Sequence, residues 1–194
     1  MQRRAFVGST VPAFLGAALA PTLLRAAPPA PNPATRVPPT GPFVLGANEG
    51  RTPTPLNVVG ETGLAKVRAA DSGGQLSFFD FVAPPKSGPP LHRHSREDEL
   101  FYVLEGELVF QLDGVRHTVG PGGTVYSPRG VVHAYQNFTT SDARLLIATM
   151  PGAFGVMFEE MSAATPAGRL PSMAVLEALH RKYGITTMGP PLGA

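Results

Sequence analysis

Cysteine is absent from the 194 residues, which removes disulfides, thiolate ligands and a cysteine nucleophile together. Imidazole, carboxylate and other oxygen groups remain as the only donors for a metal. The redox compartment is not legible from that absence, because oxidising compartments permit disulfides without requiring them. No Gly-x-Ser-x-Gly elbow occurs, so serine hydrolysis lacks its usual turn. Gly120-Pro121-Gly122-Gly123 is not followed by Lys and then Ser or Thr, which excludes a phosphate loop of that kind. There is no internal repeat, and no cluster of Lys and Arg interleaved with aromatics to mark a nucleic-acid surface.

Gly and Pro, by contrast, number 22 each, and such punctuation favours short strands and turns over long helices. The length is that of one domain with a sizeable core. Arg3 and Arg4 precede an apolar run from Val11 to Leu24, which reads as an export signal over residues 1–27. Arg3-Arg4-Ala5-Phe6-Val7 resembles the twin-arginine pattern, which implies a periplasmic or extracellular protein. Pro12, Pro21 and Arg25 confine the apolar stretch below the ~20 residues of a bilayer span, so no stable membrane anchor is expected. Loss of that segment takes Arg3, Arg4 and Arg25 away, lowering Lys+Arg from 16 to 13 against Asp+Glu 14 and the net charge to −1. No electrostatic attraction to nucleic acid survives.

Residues 28–42 read as a flexible linker of Pro, Ala, Thr and Gly, with the folded domain over 43–150 and a helical extension over 151–194. Apolar segments at Phe43–Leu45, Leu56–Val59, Leu64–Val67 and Leu76–Val82 are each bounded by turn residues. The densest strand signal follows, as Leu100–Glu105, Glu107–Leu112, Val115–Val119, Thr124–Ser127, Val131–Asn137 and Arg144–Met150. Asp113-Gly114 predicts a hairpin. Many short strands with closely spaced turns favour an all-β, closed or sandwich-like antiparallel fold, since closure removes exposed edges. Phe154–Ser162 and Ser172–Tyr183 carry apolar residues at helical spacing, as helices packed on the barrel or closing its mouth.

His92-Arg93-His94 in an extended chain puts both imidazoles on one face. Glu99 shares a face with Phe101 and Val103 if alternation runs backward from them, and His133 comes from a distant strand. Three imidazoles and a carboxylate around one point suit a divalent transition metal (Fe, Mn, Ni, Co, Cu or Zn). The spacing resembles the cupin superfamily. His92-x-His94, four residues, Glu99, six residues and Gly106 match its first motif. Gly122, five residues, Pro128-x-Gly130, two residues, His133, three residues and Asn137 match its second. Lys86 stands where a glycine is expected six before His92, with Gly88 close by.

That resemblance implies a single cupin jelly-roll barrel, with His92, His94, Glu99 and His133 as metal ligands, Gly106, Gly122 and Gly130 as turn positions and Asn137 as a structural residue. It is similar in arrangement to the small quercetin 2,3-dioxygenase-like group. The reading that follows is a metal-dependent dioxygenase acting on an enediol, flavonol-like or related small oxygenated compound. Glu99 is its catalytic base, and Phe101, Val103 and Tyr135 are its pocket candidates. The alternatives are a metal-dependent isomerase or decarboxylase, and a noncatalytic small-ligand-binding protein. The partner is a small-molecule substrate or ligand, and pairing of exposed strand edges offers a route to a homodimer. His117, Asp98, Arg129 and His180 read as solvent-facing, and Tyr102, Phe110, Tyr126 and Phe138 mostly as core and barrel wall.

Overall fold

A computed structural model describes residues 40–166 and 169–193. The expected signal segment and residues 28–39 of the expected linker lie outside the described residues. Eleven strands and two helices follow in chain order. The first strands are β1 (Leu56–Val58), β2 (Glu61–Val67), β3 (Ser77–Ala83), β4 (His92–His94), β5 (Asp98–Glu105) and β6 (Leu108–Leu112). Then come β7 (Val115–Val119), β8 (Thr124–Ser127), β9 (Val132–Gln136), β10 (Ala143–Met150), α1 (Ala153–Ala164), α2 (Met173–Tyr183) and β11 (Ile185–Thr187). Phe43–Leu45 forms no strand.

The expectation of a closed, all-β barrel is overturned. The strands form two separate sheets, one of six strands in the order β1-β2-β3-β10-β5-β8 and one of five in the order β11-β4-β9-β6-β7. Among the described residues no ladder joins them, and with α1 and α2 the fold is a mixed α/β one. Many short strands with close turns are compatible with closure, but the pattern of apolar residues reports only which face of each strand is buried. Two open sheets meeting face to face satisfy the same pattern. Closure depends on edge hydrogen bonds, which alternation does not encode.

The register explains the core. In the first sheet Leu145 lies opposite both Phe81 and Val103, and Ile147 opposite both Phe79 and Phe101, so two rows of large apolar side chains cross the inner face. In the second, Phe110 is paired with Tyr135. The sheets meet where Phe101 and Phe110 approach to 5.3 Å between ring centroids. α1 adds Phe158, whose ring sits edge-on to Phe79 at 5.1 Å and Phe81 at 5.4 Å. α2 begins on Ser172, whose side chain accepts a hydrogen bond from the Val175 backbone N–H, a normal N-cap. The Asp113-Gly114 hairpin joins β6 to β7, with Leu112 opposite Val115.

Two expected structural positions are informative. Gly88, rather than Lys86, makes the close approach before His92: at φ +151° any Cβ would stand 2.1 Å from the Tyr135 carbonyl oxygen. Asn137 is fully buried, donating to the Ala83 and Ser141 carbonyls and accepting from the Thr139 N–H. Tyr102, Tyr126 and Phe138 are exposed, not core, and only Phe110 of that group is fully buried.

Candidate metal centre

β4 is only three residues long, and its burial alternates inward, outward, inward. His92 and His94 therefore both face the interior while Arg93 faces solvent. Strand β9 runs antiparallel beside β4 with His133 directly opposite His92. The register of one short ladder thus assembles three imidazoles. Glu99, on β5, reaches them from the other sheet.

The side chains converge tightly. One potential ligand atom from each of His92, His94, Glu99 and His133 lies within 4.8 Å of all the others, and all four residues are buried. The Nε2 atoms of His92 and His94 are 3.0 Å apart. Glu99 Oε2 lies 2.7 Å from His133 Nε2 and 3.3 Å from His94 Nε2.

The backs of the rings decide what the fronts can do. His92 Nδ1 donates to the Pro90 carbonyl at 2.7 Å and His133 Nδ1 to the Val131 carbonyl at 3.1 Å. Donation from Nδ1 leaves the Nε2 lone pair free and fixes ring orientation. Burial pushes His92 well below 6.5, and the neighbouring His133 and His94 push the same way, so its ring is neutral. Burial alone would raise the Glu99 carboxyl, but His94 and His133 outweigh it and hold Glu99 below the usual carboxylate range. Burial lowers His94 too, yet Glu99 and Glu97 more than offset it, carrying it up to about 9.

This donor set fits a divalent transition-metal ion. Lone pairs facing each other across 3.0 Å repel unless a proton or a cation lies between them. Three imidazole nitrogens and one anionic oxygen suit the borderline cations of the first transition row. His94 Nδ1 and Glu97 Oε2 are both buried without a hydrogen-bond partner and stand 3.6 Å apart. A small shift closes that gap, and a carboxylate behind a ligating imidazole is a common support. The cluster is therefore capable of holding one such ion.

The cluster opens on a cavity of about 50 Å³. Its wall is mostly apolar and includes Phe101, Ile147, Phe154 and Met157. Helices α1 and α2 contribute Phe154, Met157, Phe158, Met161, Leu176 and His180 to the lining. The Phe154 ring lies edge-on to His94 at 4.3 Å. Of the pocket candidates, Phe101 and Tyr135 line this cavity, whereas Val103 is buried in the core and is not part of the lining. His117 is exposed. Asp98 and Arg129 pair through two hydrogen bonds, at 2.9 and 3.2 Å.

Three residues escaped the sequence reading. His180 is not solvent-facing but buried, its Nδ1 within 2.9 Å of Thr187 Oγ1; it lies four residues from the buried Leu176, one helical turn along the same face. Glu97 is buried, and the alternation that placed Glu99 with Phe101 and Val103 reaches Glu97 one step earlier. Glu61 is also buried, at 1% exposure. Its carboxylate accepts hydrogen bonds from Ser87 Oγ at 2.8 Å and Tyr135 OH at 2.5 Å, and burial pushes it up to about 7 despite them. Its alternation with buried Gly63 and Ala65 was the available signal.

Residues 79–149 match the family model of the cupin domain. The Oxalate-binding protein of Thermotoga maritima is 33% identical over 69 residues, 36% of this chain and 57% of that protein. Germin-like protein 3-3 of Oryza sativa subsp. japonica is 27% identical over 157 residues, 77% of this chain and 66% of that protein. The chain thus spans less than two thirds of either relative. A solved structure of a predicted oxalate decarboxylase from Thermotoga maritima superposes with TM-score 0.51 at 24% identity, covering 56% of this chain and 99% of that one. That last likeness is one of fold.

Proposed function

We propose, from this chain's membership of the cupin superfamily, that it is a metal-dependent enzyme converting a small oxygen-rich acid by proton transfer, as an isomerase or decarboxylase. The observation that carries the reading is the buried cluster of three histidines and Glu99 facing a mostly apolar cavity. A divalent ion held there supplies a Lewis acid for a carboxylate or enolate oxygen. His92 and His133, each fixed through Nδ1 by a backbone carbonyl, keep the binding point in place. We assign Glu99 the task of taking a proton from substrate and returning it, since an anionic carboxylate beside the binding point suits that work. Phe154, Met157 and Phe158 exclude water, so the developing charge is met by fixed groups rather than by solvent.

Size bears on the flavonol form of the dioxygenase reading. A cavity of about 50 Å³ is small, on the scale of ~10–15 Å³ for one water, which supports a short acid over a flavonol. The test is turnover of short hydroxy, keto and dicarboxylic acids by metal-loaded protein with and without oxygen, together with Glu99→Gln. Rates undiminished under anaerobic conditions and a loss of about 10²–10⁴-fold in the variant are expected. A strict requirement for oxygen, or recovery of every acid unchanged, would overturn the proposal.

A further inference from the structure

We propose that Glu61 is a substrate-recognition residue: its carboxylate accepts a hydrogen bond from a hydroxyl group of the ligand, so that the cavity selects short acids carrying one carboxylate and one hydroxyl over dicarboxylates. This deepens the function proposed above and rests on it.

Glu61 is none of the four clustered ligands, yet it lines the same cavity as His92, Glu99 and His133. Among the described residues no ion pair includes it. Among the described residues the hydrogen-bond partners of its carboxylate are two neutral hydroxyls, Ser87 on one oxygen and Tyr135 on the other. A carboxylate offers about four acceptor sites, so acceptor capacity remains toward the cavity. Burying such a group in an apolar wall without a cation is costly, and a purely structural link between β2 and β9 could be made by a neutral side chain.

The shared cavity constrains the ligand. Tyr135 follows His133 by two residues on β9, and the Phe101 ring stands 6.1 Å from His133 and 5.8 Å from Tyr135. An apolar surface thus separates the metal-binding pole from the Glu61 pole. The cavity of about 50 Å³ keeps the carbon skeleton short. On this proposal, an acid bound through its carboxylate at the cluster presents its other end to Glu61, which lines the same cavity. A hydroxyl there gains a hydrogen bond, whereas a second carboxylate meets like charge.

The test is calorimetric binding of 3-hydroxypropanoate, propanoate and malonate to full-length protein loaded with Mn²⁺, at about pH 8, where Glu61 is ionised. In the native protein the hydroxy acid is expected to bind about tenfold or more tighter than propanoate, and tighter than malonate. Glu61→Leu should bring the hydroxy acid and propanoate within about twofold of each other. Glu61→Gln, which keeps a neutral acceptor of roughly half the strength, should fall between. Tyr135→Phe, which frees the carboxylate from its fixed position, should weaken the preference as an independent variant. A hydroxyl preference that survives Glu61→Leu, equal binding by native protein, or tightest binding of malonate overturns the role of Glu61 alone. Absence of any metal-dependent acid binding overturns the metal-centred function and this inference with it.

Discussion

Glu61→Gln tests the electrostatics of the interior without reference to catalysis. The native carboxyl is 1% exposed and is pushed by burial from 4.5 up to about 7, while in the unfolded chain it titrates near its ordinary value. Through that interval the folded protein holds a proton that the unfolded chain releases, so stability must fall as pH rises. The contribution is fully present below 4.5 and is lost as pH passes through about 7. At roughly 1.36 kcal/mol per unit, the interval is worth about 3 kcal/mol. Glutamine keeps the size and an acceptor for Tyr135 but cannot ionise. In urea unfolding of metal-free protein, the variant should lie within about 1 kcal/mol of native near pH 5 and exceed it by about 2–3 kcal/mol at about pH 8.5. Circular dichroism is the suitable probe, since Trp 0 leaves no indole signal. His94 and Glu99 titrate in both proteins and cancel in the difference. Parallel stability curves across the whole range would refute the argument.

Other perturbations probe the site and its supports. Glu97→Gln removes the buried carboxylate 3.6 Å from His94 Nδ1, and chelator competition should show metal affinity reduced about 10–100-fold with the fold retained. Metal affinity of the native protein should rise with pH up to the region of about 9 to which His94 is carried, because the proton must leave before the ring can ligate; affinity independent of pH would contradict that assignment. Gly88→Ala drives a methyl to 2.1 Å from the Tyr135 carbonyl in a backbone region that penalises side chains, so a loss of at least about 1–3 kcal/mol in urea unfolding is expected. Phe158→Ala empties the space beside Phe79, Phe81 and Phe154 and should cost about 3–5 kcal/mol, visible as a lowered Tm.

The metal cluster was the most legible part of the sequence. His92 and His94 alternate in an extended segment, and Glu99 shares the parity of Phe101 and Val103, so local geometry already aimed three of the four side chains. His133 needed the spacing of a second motif, because nothing local to it says which strand it will face. Sheet closure was not legible for a related reason: the side chains of Phe79, Phe81 and Leu145 announce a buried face, whereas closure is decided by backbone groups at β7, β8, β1 and β11, which every residue carries alike. Glu61 and Glu97 were passed over because acidic residues are usually solvated, although their parity with buried neighbours pointed inward. His180 was masked by Arg181 and Lys182, whose charge describes a different side of the helix.

Strand β9 is fastened to the opposite sheet at two points, by Glu99 to His133 and by Glu61 to Tyr135, while most of the remaining packing between the layers is apolar. Apolar contacts resist separation but tolerate sliding, whereas a cation gripping ligands from both layers acts as a rivet against shear. Loading the centre should therefore stiffen amide exchange along β5 and β9 together, including residues that never touch the ion.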